Sequence, residues 1–128
     1  MKSNVAESVC EWAEKELGLP FTVFTDLIPD GDSDGACIRH DPAPAAEKRY
    51  SDGTRLVSWN LTLFVRCRDS ALSRALAGEI TAKLDGAEIE TEETKIECEA
   101  TSLPQFIETD AKGFTTYSAS LKCTFLEE

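Results

Sequence analysis

The sequence is 128 residues long, 41% hydrophobic and 29% charged, with 24 acidic residues against 13 basic ones and a formal net charge of −11. That size and composition fit one folded domain with a two-layer core and argue against a disordered chain. The charge argues against sequence-specific nucleic-acid binding, which needs a Lys/Arg patch to displace counterions from phosphates; self-repulsion that favours solubility is its simplest meaning.

The first residues, Met1 to Glu7, lack the apolar core of a signal peptide, and no run in the sequence is apolar enough to span a membrane. A cytosolic chain with no membrane contact is the expectation. Ser3 or Asn4 is placed to cap a first helix, with Glu7 completing a capping box behind Asn4. Val5, Val9, Trp12, Ala13 and Leu17 recur at helical spacing and predict its buried stripe; Gly18 and Pro20 end it.

Phe21–Phe24 reads as a short strand of aromatic and β-branched residues. Then comes Asp30-Gly-Asp-Ser-Asp-Gly35, the front half of a calcium loop, in which Asp30, Asp32 and Asp34 alternate before a glycine turn and Asp41 takes the twelfth position. Its flanks disagree: Pro29, Pro42 and Pro44 deny it the helices of an EF-hand. A solvated turn joining two strands is the simpler reading, and a calcium-dependent binding module stands as the alternative function. Ala36–His40 forms a further short strand with His40 at its polar end. Asp41 to Ser51 is Pro/Ala-rich and aperiodic, and belongs to a hairpin or loop excursion spanning about residues 30–55.

Arg55 to Arg68 alternates strictly, with Val57, Trp59, Leu61, Leu63, Val65 and Cys67 on one face. At about 3.3 Å per residue, such a strand outruns a domain of this size, so it bends or projects as an arm. Leu56 and Phe64 interrupt its polar face and are the candidate residues of an oligomer interface, because apolar patches on a polar face mark contacts. Asp69-Ser70 caps a second helix with the stripe Leu72, Leu76, Ile80 and Leu84. Gly78 inside it suggests close packing of its backbone on a sheet. Thr94–Ala100 alternates with Ile96, Cys98 and Ala100 inward, and Glu88 to Glu93 before it is a connector or a strand edge. After Leu103-Pro104 and Gln-Phe-Ile-Glu-Thr, Asp110–Gly113 makes a hairpin turn. The last strand, Phe114 to Leu126, puts Tyr117, Ala119, Leu121, Cys123 and Phe125 on one face.

The order predicts a single α+β domain over residues 1–128: a mostly antiparallel sheet of about four to five strands with two helices packed on one face. Five cysteines without a Cys-x-x-Cys pair, and His40 as the one histidine, point to buried thiols and to neither metal nor cofactor. No phosphate-binding loop, nucleophile elbow or His-Glu-x-x-His occurs, so an enzyme, of unknown type, ranks third behind the other readings.

The N-terminal helix, the Asp52-Gly53 turn, the strand containing Trp59-Asn-Leu-Thr-Leu-Phe-Val-Arg66, the helix Ala71–Leu84 and the ending from Leu103-Pro-Gln-Phe-Ile-Glu-Thr-Asp-Ala-Lys-Gly-Phe to Lys122 occur in this order. The layout resembles the tail-terminator and minor capsid (head–tail joining) proteins of tailed bacteriophages, over about Val5 to Phe125. The Asp30–Gly35 loop and the Pro/Ala stretch lie outside that pattern. The resemblance implies a structural virion protein, assembled in the host cytoplasm. It implies a homo-oligomer, commonly a hexameric ring, at the end of the tail tube that stops tail growth and meets the head connector. It carries no active-site residues.

Overall fold

A computed structural model describes residues 5–18, 23–25, 34–41, 46–91 and 95–127. Helix α1 spans Val5–Leu17 and α2 Ser70–Leu84; the strands are β1 (Val23–Thr25), β2 (Gly35–His40), β3 (Ala46–Arg49), β4 (Arg55–Cys67), β5 (Glu88–Glu90), β6 (Lys95–Ala100), β7 (Gln105–Thr109) and β8 (Thr115–Glu127).

The long strands β4 and β8 pair antiparallel along their whole thirteen-residue length, from Arg55 opposite Glu127 to Cys67 opposite Thr115. Everything else is hung on that ribbon. On its β4 side lie β2, opposite residues 61–66, and β3, opposite residues 55–58. On its β8 side lie β6, opposite residues 121–124, and β7, opposite residues 115–118. β1 and β5 finish the two ends, giving the order β1-β2-β4-β8-β6-β5.

The class is α+β, but the expected sheet is corrected. Among the described residues eight strands join it instead of about four to five, and it is mixed, because β1 runs parallel to β2. The extra strands have three to five residues, too short for alternation to declare them; pairing with a long neighbour, more than their own pattern, fixes their conformation. β3 falls inside the stretch read as an aperiodic excursion. β1 and β2 run parallel, so they are not the two arms of a hairpin.

The sheet curls into a half-barrel, and α1 touches β1, β2 and β5, bridging the two terminal strands. Val5, Ala6, Val9, Cys10 and Ala13 are the buried face of α1, with Trp12 and Leu17 partly covered. Gly18 follows at φ +56°, the left-handed value that ends a helix. α2 packs on β4, β8 and β6, burying Leu76, Ile80 and Leu84; complete burial of such a side chain contributes about 2 kcal/mol each.

The predicted α2 stripe needs one correction. Residues four apart drift by about 40° per step at 3.6 residues per turn, so a stripe from Leu72 to Leu84 cannot stay on one face. Leu72 is exposed, and Ser73 takes the buried place, its hydroxyl 2.9 Å from both the Val65 and Thr115 carbonyls to which it donates. Gly78 is corrected too. A Cβ built there meets nothing within 4 Å, so this glycine does not mark close helix–sheet contact. The capping reading holds, with the Asp69 carboxylate accepting from the Ala71 and Leu72 amides.

The predicted inner faces of β4 and β8 are the buried ones. Val57, Leu61, Leu63, Val65 and Cys67 share one hydrophobic cluster with Leu121, Cys123 and Phe125, and Ala119 is buried beside it. All five cysteines are free and buried. The hairpin turn forms as expected: the Asp110 carboxylate accepts from the Lys112 and Phe114 amides, and Gly113 adopts φ +89°.

Candidate contact surfaces

The two residues singled out on the polar face of β4 both lie on the outer side of the sheet, away from the helices. Eight residues of strand separate them, roughly 26 Å, so the fold does not bring them together. Leu56 stands opposite Leu126 of β8 and Lys48 of β3. It is half-buried while Leu126 is 51% exposed, and the pair forms a small apolar step at the end of the ribbon.

Phe64 sits between Cys37 of β2 and Ser118 of β8. It is half-buried, and the Arg39 guanidinium lies over its ring, 4.8 Å from the centroid. Its apolar surface therefore already has a charged cover from its own chain. The same device recurs one step along. Arg66 and Arg68 lie 5.0 and 4.8 Å from the centroid of Phe114, whose ring they help to bury. These arginine–aromatic contacts escape periodicity, because Arg66 and Arg68 read as ordinary polar-face residues.

A third surface was not singled out by sequence. All five residues of β7 are exposed, and among the described residues it pairs with β8 alone. Its register slips between Phe106 and Glu108, leaving Ile107 at a bulge. Phe106 (56% exposed) meets Tyr117 edge-on with ring centroids 6.0 Å apart, and Ile107 is 44% exposed. Just before them Leu103 is 84% exposed at the rim of a groove of about 560 Å³ between α2 and the β6–β7 connection. Thr81, buried in the wall of that groove, has a hydroxyl without a hydrogen-bond partner among the described residues. The available sequence signal was the adjacent pair Phe106-Ile107: neighbouring strand residues point to opposite faces, so both cannot serve one core.

The other candidates take structural places. The His40 ring packs edge-on against Trp59 with centroids 5.0 Å apart. Asp30 and Asp32 lie outside the described residues. Asp34 accepts from the Arg68 amide and Asp41 from the Thr62 hydroxyl. With all of β2 extended between them, Asp34 and Asp41 stand roughly 23 Å apart. Carboxylates at calcium distance, 2.3–2.6 Å from one ion, cannot be that far from each other, so the twelve-residue calcium loop does not form. Among the described residues no group of three or more His, Cys, Asp or Glu side chains is placed to hold a metal, and no helix is long and apolar enough to cross a membrane.

Among the described residues, the outer face thus presents apolar and arginine–aromatic contact features. Comparison with known families agrees in kind: the family model described as bacteriophage tail terminator protein matches residues 6–127. No curated protein matches the chain.

Proposed function

This chain belongs to the bacteriophage tail terminator family, and from that premise we propose that its copies close into a hexameric ring on the end of the tail tube, halting tube growth and offering a surface to the head connector. The family places it in the virion tail as a structural component that works by touching other tail components. The finer reading, which includes self-assembly and head–tail joining as a minor capsid component, is supported chiefly by β7. Natural sheet edges are blunted by charge, shortness or cover. β5 follows that rule, with three residues of which two are exposed glutamates. β7 departs from it, keeping Phe106 and Ile107 exposed beside an exposed Leu103. An edge of that kind suits addition of a strand or an apolar surface from a neighbour.

Leu56 and Phe64 belong to the same reading. Leu56 with Leu126 forms the apolar end of the β3–β4–β8 arm, and Phe64 forms the floor beneath Arg39, both on the outer face where a neighbouring copy docks. The net charge of −11 suits a lumen through which DNA passes without sticking, since like charges repel. Phe106→Asp combined with Ile107→Asp tests the edge. Both residues are exposed, so thermal stability is expected to change little while sedimentation shifts from the assembly to the monomer. An unchanged assembly removes β7 from the contact.

A further inference from the structure

Two thiols on neighbouring strands meet in the core as free groups. Cys98 of β6 is directly opposite Cys123 of β8, 25 residues further along the chain, and their sulfurs lie 3.5 Å apart. Both are buried, at 3% and 0% exposure. The Cys98 amide donates to the Ala87 carbonyl and the Cys98 carbonyl accepts from the Gly86 amide, so both groups bond away from β8. Opposed residues of that kind have Cα atoms about 4.5 Å apart, inside the range of about 4.4–6.8 Å that a disulfide spans. Bringing the sulfurs to the bonded distance of about 2.05 Å takes side-chain rotation, with the strands staying where they are.

This end of the sheet is also where a covalent tie has most to hold. Among the described residues, β6 joins β8 over four residue pairs, against thirteen for β4 with β8, and β5 joins β6 over three. α1 touches β5 and α2 touches β6, so both helices rest partly on these short ladders.

We propose that Cys98 and Cys123 are a disulfide site, reduced while the chain folds and joined once the protein leaves a reducing compartment, stapling β6 to β8. The family places the protein in the virion tail, and a virion released from a cell passes from reducing cytosol to oxidising surroundings, where disulfides persist. The inference goes beyond ring formation and needs no partner copy. Contact with Cys98 and burial hold the Cys123 thiol protonated, so the reaction proceeds when β6 parts briefly from β8. In that opening one cysteine thiolate attacks a low-molecular-weight disulfide, expelling one thiol and leaving a mixed disulfide. The second cysteine attacks the protein sulfur of that mixed disulfide and expels the other thiol. One oxidant disulfide is thus reduced to two thiols while two protein thiols are oxidised to one disulfide, and the protons balance. Once β6 closes again, the same burial shields the bond from reductants. The linkage also encloses β7 and part of β8 in one covalent loop, which restricts the unfolded chain and raises stability.

The test is a redox titration of the purified wild-type chain in glutathione buffers, read by peptide mapping and urea denaturation. In oxidising buffer the tryptic peptides 96–112 and 123–128 are expected to appear as one linked species that reductant separates. The urea midpoint is expected to rise on linkage. Linkage is expected to be slow in native buffer and at least about tenfold faster in mild urea, since opening limits it. Cys123→Ala is expected to remove both the linked species and the rise in midpoint. Should that core variant fail to fold, the wild-type peptide map and midpoint decide alone. A pair that stays reduced, carries glutathione or links to other cysteines overturns the inference, as does a midpoint that falls on linkage. None of these readouts depends on assembly, so the ring reading stands or falls separately.

Discussion

Cys98 on β6 and Cys123 on β8 stand directly opposite each other, their sulfurs 3.5 Å apart inside the core. The Cys98 backbone bonds away from β8, to Ala87 and Gly86, which makes the two a non-hydrogen-bonded pair, the closer kind in an antiparallel ladder. Contact with Cys98 and burial push the Cys123 thiol far above its ordinary value, holding it protonated. A thiol reagent is expected to modify this pair only as fast as the protein unfolds, with rapid labelling in denaturant. Cys123→Ser, which buries a hydroxyl in an apolar contact, is expected to cost about 1–3 kcal/mol by urea titration. Rapid labelling of the pair in the native protein would contradict this placement.

Cys10 and Cys67 are expected to make the protein sensitive to base. Burial pushes each thiol from 9.0 up to about 11. Between those values the unfolded chain has released protons that the folded chain still holds, so the unfolded state binds fewer and stability falls as pH rises. Thermal melts from pH 8 to 11 are expected to show a declining Tm, and Cys67→Ala is expected to flatten part of the decline. A melting temperature constant across that range argues against buried protonated thiols.

Ser73 and Gly78, on one helix, are expected to respond in opposite directions. Ser73→Ala removes the hydroxyl that ties α2 to β4 and β8, a loss of about 1 kcal/mol. Gly78→Ala adds a methyl group into open space on a helix and is expected to stabilise by up to about 1 kcal/mol. Chemical denaturation of the two variants checks both signs.

The sequence carried the centre of this fold better than its edges. β4, β8 and the existence of α2 were legible because long elements repeat their pattern often enough to fix a period. Ser73 in place of Leu72 was missed because a four-residue spacing imitates a stripe while rotating off it. β3, β5 and β7 were missed or left open because strands of three to five residues are defined by their neighbours. The candidate contacts divided in the same way. Leu56 and Phe64 stood out as apolar breaks in a polar face, whereas the rows of arginine against Phe64 and Phe114 arise from cross-strand neighbours that no linear spacing reveals.

Leu126 separates assembly from folding. At 51% exposed beside Leu56, it contributes little to the core. Leu126→Lys is expected to leave folding stability within about 0.5 kcal/mol and to weaken association, read as a rise in the concentration at which light scattering detects the assembly. Unchanged association would remove the Leu56–Leu126 step from the interface.

The most direct measurement of the account is the mass and shape of the wild-type protein in solution, by light scattering coupled to chromatography with negative-stain imaging of the same peak. The account predicts a closed six-fold ring with a central opening. A monomer that persists at high concentration, or a closed two-fold dimer, would contradict it.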